Sequence, residues 1–141
     1  MERVQMEQRP RTVPIVAAFL FAATGIATVV STSLLFPDAV LDRIWDLNNQ
    51  GAVAFRAMGK LSGILLLLLG AGTFAAAVGL LQRKKSAWWF AVVLFAINGT
   101  GDVASLVVSG DWLRSASGVA ISMAFLYRLT SSRVRRYFDQ G

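Results

Sequence analysis

The chain has no cysteine and no histidine among its 141 residues. The first absence excludes disulfides, thiolate chemistry and iron–sulfur ligation. The second removes histidine-ligated haem and imidazole acid–base catalysis. Charge is scarce too: 16% of the residues are Asp, Glu, Lys or Arg, against 55% hydrophobic. That balance is too apolar for a soluble domain of ordinary composition. No phosphate-cradling glycine loop, nucleophile–base pair or metal-ligand cluster is present, so neither a cofactor nor a metal is expected. The missing cysteines carry little information about redox compartment, because a chain this apolar needs no covalent staple.

What is present is long apolar runs. A helix crossing a bilayer needs roughly 20 mostly apolar residues at about 1.5 Å each. Four segments qualify on sequence: about Val13–Phe36, Gly59–Leu81, Ala87–Val108 and Ser115–Thr130, the last being the shortest. They take up most of the chain. The expected fold is all-α: a polytopic four-transmembrane-helix bundle spanning residues 1–141. The basic start of the first run (Arg3, Arg9, Arg11) fits a secretory signal. The run itself is longer than the roughly 7–15 residues of a signal core, and it is read as an uncleaved span.

Lys and Arg sort between alternate loops. Arg3, Arg9 and Arg11 precede the first run, Arg83, Lys84 and Lys85 join the second to the third, and Arg128, Arg133, Arg135 and Arg136 follow the fourth. The other side carries Arg43, Arg56, Lys60 and Arg114, interspersed with Asp38, Asp42, Asp46 and Asp111. By the positive-inside rule both termini are expected in the cytoplasm of a bacterial inner membrane, with no dual topology. The formal net charge of +6 is then a matter of topology and anionic headgroups rather than nucleic acid.

The sizeable outer loop, about Pro37–Met58, opens on Pro37-Asp38, a favourable helix start. Val40, Leu41, Ile44, Trp45 and Leu47 then recur near helical spacing. A short amphipathic outer helix is expected between spans one and two, ending near Asn48-Asn49-Gln50-Gly51, either as a surface connector or as a lid. Trp88, Trp89, Trp112, Tyr127 and Tyr137 occupy interfacial belt positions. Small residues four apart (Gly59 and Gly63, Gly72 and Ala76, Ala75 and Gly79, Ala18 and Ala22) supply faces for close helix approach, within the bundle or in a homo-oligomer.

The least ordinary stretch is Asn98-Gly99-Thr100-Gly101-Asp102. Asn98, Asp102, Ser105 and Ser109 recur at helical spacing as one polar stripe. Asn98 falls near mid-membrane and Asp102 about 6 Å further outward. An acid at that depth costs about 2.5–3.5 kcal/mol on insertion scales, so it should face the bundle, pair or meet water. Asn98-Gly99-Thr100 matches a glycosylation sequon at a depth that excludes glycosylation. Thr24, Thr28 and Ser31, Arg56 and Lys60, and Arg114, Ser115 and Ser122 belong to the same outer half. The candidate site is therefore an outward polar crevice or ion pair made of Asp102, Asn98, Lys60, Arg56, Ser105, Thr28 and Arg114. Lys60 is the first-choice partner of Asp102. A pair that pins two helices together and a proton or ligand site are both open.

The run Gly79-Leu80-Leu81-x-Arg83-Lys84-Lys85-x-Ala87-Trp88-Trp89, together with Asn98, Gly101-Asp102, Leu47-Asn48 and Gly110-Asp111-Trp112, resembles a recurring pattern in small uncharacterised bacterial four-helix membrane proteins. The resemblance covers nearly the whole chain and implies the same four-span fold, with no activity to transfer. In architecture alone the chain is similar to DoxX-like proteins. It departs from small multidrug resistance transporters, because its first span contains no acidic residue.

Two functions follow as expectations. The first is an accessory or structural membrane component that binds a membrane partner or itself within the lipid bilayer. The alternative is a small transporter or ligand-binding protein that uses the crevice around Asp102. For an enzyme, Asp102, Lys60 and Ser105 are the only thinkable set, and no enzyme is expected.

Overall fold

Pro14 and the hydroxyl residues of the first apolar run are all compatible with a helix. Pro14 sits in the first turn, where no backbone N–H partner is lost. In a computed structural model, which describes residues 9–36, 43, 45, 46, 53, 55–109 and 112–140, this run is helix α1 (Thr12–Leu35). The hydroxyls of Thr24, Thr28 and Thr32 donate to the carbonyls of Leu20, Thr24 and Thr28 at 2.9, 2.8 and 2.7 Å. Polar groups bonded to their own helix can lie in an apolar surrounding at little cost. The described residues form four further helices: α2 (Lys60–Leu81), α3 (Lys85–Ser109), α4 (Trp112–Leu129) and α5 (Ser132–Asp139). Among the described residues there is no strand.

Helices α1, α2 and α3 are long and apolar enough to cross a membrane. Helix α4 is helical over the fourth run but, with Arg114 and Arg128 in its 18 residues, falls short of that standard. Of the expected outer loop and its short helix, residues 37–42, 44, 47–52 and 54 lie outside the described residues.

The chain divides into two compact units, residues 19–75 and residues 1–18 with 76–141. In the unit of residues 19–75, the α1 and α2 segments meet through small groups. The Thr24 and Thr73 hydroxyls lie 2.9 Å apart. A Cβ at Gly70 would touch Ala27 Cβ at 3.4 Å, and one at Gly63 would press on Leu35 Cγ at 3.0 Å. Phe21 and Phe74 add an edge-to-face ring pair at 5.6 Å. The carboxy-terminal end of α1 holds Trp45, which is buried; its indole N–H donates to Ser33 Oγ at 3.0 Å.

In the other unit, α2 ends in a Schellman turn. Lys84 N–H donates to the Gly79 carbonyl at 2.8 Å and Arg83 N–H to the Leu80 carbonyl at 3.1 Å. Arg83 is left-handed at φ 61°, a position where glycine is usual. The tight reversal presses Ala87 of α3 against Gly79, where a Cβ would overlap Ala87 Cβ. Helix α5 then covers this end. Its Val134, Tyr137 and Phe138 are buried, at i, i+3 and i+4, while Arg133, Arg135 and Arg136 stay exposed. Arg83 Nε donates to the Tyr137 carbonyl at 2.6 Å and its guanidinium lies 4.5 Å from the Tyr137 ring centre. Trp88 donates to the Leu129 carbonyl at 2.9 Å and stacks on Phe138 at 6.3 Å. Trp88 and Tyr137, expected as interfacial anchors, are thus packed inside, while Trp89, Trp112 and Tyr127 are exposed.

Candidate functional site

Helices α3 and α4 pack against each other along an antiparallel seam of small and polar residues. Three contacts define its register. A Cβ at Gly99 would meet Ser122 Cβ at 3.2 Å. One at Gly118 would come within 2.6 Å of Asp102 Cγ and 2.9 Å of its Oδ1. Ser115 Oγ donates to Ser105 Oγ at 3.3 Å. Along α3 these positions are 99, 102 and 105; along α4 they are 122, 118 and 115. Both series fall on one helix face. Phe95 and Phe125, with ring centres 5.0 Å apart, extend the seam beyond Gly99.

Asp102 is half-buried, and its carboxylate occupies the space that a side chain at position 118 would need. Among the described residues it accepts no hydrogen bond and enters no ion pair. Gly118 therefore lets an acid fit between two helices without supplying a counter-charge. Chemically, such a carboxylate can accept hydrogen bonds or pair with a cation.

The seven sequence-derived candidates fall in both units. Asp102, Asn98, Ser105 and Arg114 belong to residues 76–141, and Thr28, Arg56 and Lys60 to residues 19–75. Within the first of these units, the seam brings Ser105 to Ser115 and Asp102 to Gly118. Asn98, one turn from Asp102, is exposed, as is Arg114. In the second, the Thr28 hydroxyl is committed to its own helix, and Lys60 is exposed as the first residue of α2. Lys60 follows Gly59, whose φ of 60° needs a glycine. Among the described residues no three acidic side chains gather where they could hold a metal ion.

Gly118 is the seam residue that sequence reasoning missed. One signal exists: Gly118 and Ser122 are small residues four apart, the same spacing as Gly59 and Gly63 in the second span. Comparison with protein-family models, curated proteins and solved structures gives no match.

Proposed function

We propose that the protein is an integral membrane component of accessory or structural type, acting through its surfaces rather than through a reaction centre. The observation that carries this reading is how its intramembrane hydroxyls are used. Thr24 meets Thr73, Ser105 meets Ser115, and Thr28 and Thr32 bond within α1. The two cross-helix pairs are glue between spans, and the other two hydroxyls are satisfied within their own helix. Meanwhile long apolar side chains such as Ile26, Leu68, Ile97 and Val107 are exposed, as lipid- or partner-facing residues are.

The reading includes a four-span bundle with a short outer helix. Helix α4 is less apolar than α1, α2 and α3, but its register against α3 runs from Phe125 to Ser115. If α3 crosses the bilayer, α4 crosses with it, its hydroxyls and Gly118 turned to α3 instead of lipid. Both termini lie on the cytoplasmic side of a bacterial inner membrane, supported by the run of cations at 83–85 and 128–136.

The test is solubilisation from native membranes in mild detergent through a tag, with mass spectrometry of what copurifies. A stoichiometric membrane partner, or a defined homo-oligomer, is the expected result. A clean monomer would sink this reading.

A second reading has its own observation: the Asp102 carboxylate lacks a cation among the described residues. Asp102 would then bind a proton or a cationic group during transport. Flux in liposomes that vanishes in Asp102→Asn at normal folded yield would favour it. Unchanged flux would remove it.

A further inference from the structure

A second concentration of charge lies where α1 begins and α4 ends. A cavity of about 680 Å³ there is lined by four arginines, Arg9, Arg11, Arg128 and Arg133, with Thr12 and Tyr127, and among the described residues no acidic side chain lines it. Arg9 is held in place by a hydrogen bond from its guanidinium to the Leu81 carbonyl at 2.9 Å. Among the described residues, the side chains of Arg11, Arg128 and Arg133 enter no ion pair or hydrogen bond. Ser131, also on the wall, donates its hydroxyl to the Arg128 carbonyl at 2.8 Å, so it offers an anion no proton.

Four like charges around one hollow repel each other until an anion enters. Guanidinium forks match phosphate oxygens in pairs, and Thr12 adds the positive end of a 24-residue helix. The surroundings select the source of that phosphate. One turn beyond Arg11 along α1 lies Ile15, and one turn before Tyr127 along α4 lies Met123; both are exposed, at 59% and 61%. The cations therefore sit beside apolar surface at the ends of two helices, the arrangement that meets a headgroup and the start of its chains. The volume is within the range of pockets that enclose small ligands.

We propose that this cavity binds the phosphate of an anionic membrane lipid. The inference rests on the membrane reading above and adds a ligand class and a site to it. Arg11, Arg128 and Arg133 grip the phosphate, Arg9 fixes the back of the hollow, and Tyr127 marks its lipid-facing rim.

The test is native mass spectrometry of the purified full-length protein in detergent, titrated with phosphatidylglycerol, with phosphatidylcholine or with soluble glycerol phosphate. Arg11→Gln, Arg128→Gln and Arg133→Gln together are compared with a charge-matched control, Lys84→Gln, Arg135→Gln and Arg136→Gln. Phosphatidylglycerol is expected to bind wild type selectively, with affinity falling at least about tenfold in the cavity variant and less than about twofold in the control. Arg128→Gln alone gives the same ranking if the triple variant does not fold. Equal losses in both triple variants, or equal binding of phosphatidylcholine, would overturn the proposal. Displacement of the lipid by an equal concentration of glycerol phosphate would also overturn it, assigning the cavity to a soluble phosphate. Alkaline extraction of native membranes separates the two levels: a protein released by alkali fails the membrane reading itself, whereas a retained protein without lipid selectivity fails only this site.

Discussion

Asp102 and Gly118 share one volume: the carboxylate of the first fills the place where the second has no side chain. Gly118→Ala is expected to cost about 1–3 kcal/mol through overpacking. Asp102→Ala in the same chain should recover much of that loss, because the added methyl then finds space. Thermal unfolding of the two single variants and the double variant forms a cycle. Strictly additive losses would show that the two residues do not compete for this volume.

Arg83 combines an unfavourable backbone conformation with a favourable side-chain role. Both Arg83→Ala and Arg83→Gly lose the Tyr137 contacts, but only glycine relieves the left-handed backbone. Arg83→Gly should therefore unfold at higher temperature than Arg83→Ala, by roughly 1 kcal/mol of stability. The reverse order would mean that the turn relaxes once the guanidinium is gone.

Asp139 ties the last helix to the start of α3 through a 2.7 Å contact with Lys85. The hydrogen bond from Lys85 is the main cause holding its carboxyl below the usual value of 3.8, with the charges of Lys85 and Arg135 acting the same way and desolvation opposing them. A folded pKa below the unfolded one means the folded state binds fewer protons in that range. The contribution is present above the unfolded value and is lost as pH falls through the folded one. The protection of α5 amides, taken as exchange relative to the intrinsic rate at each pH, should thus hold at neutral pH and fall only in acid below the ordinary carboxylate range. In Asp139→Asn that acid step should be absent; its persistence would assign the step to another group.

The absence of cysteine makes the wild-type chain a ready background for mapping sides. Under the proposed four-span topology, Gln82→Cys in the α2–α3 turn and Leu113→Cys at the start of α4, both exposed, should react with impermeant maleimide from opposite faces of the membrane. Labelling of both from one face would reduce the number of spans.

Helix positions were legible because apolar length is a coarse signal that neighbours cannot overturn. The runs Val13–Phe36 and Gly59–Leu81 correspond to Thr12–Leu35 and Lys60–Leu81. Asp102 was legible as an oddity, since a lone acid in an apolar run stands out whatever it touches. Its companion was legible only as a small residue four before Ser122: the spacing marks a close helix approach, but a missing side chain carries no charge or hydropathy to say that Asp102 fills the gap. Helix α5 was also missed. Its eight residues hold three arginines, and that charge masked the spacing of Val134, Tyr137 and Phe138. Residue type alone points Trp88 and Tyr137 to the interface, whereas their places are decided by the Leu129 carbonyl of α4 and Phe138 for the first and by Arg83 for the second.

The packing at 83–88 joins residues far apart along the chain. Arg83 donates to a carbonyl 54 positions further on, and Trp88 to one 41 positions further on. Such contacts carry the loop-closure cost of everything between them, so they form late relative to the local turns of each helix. A truncation that removes α5 would leave the α2–α3 turn uncovered and Trp88 without Phe138, a chain with its long helices present and this corner unfinished.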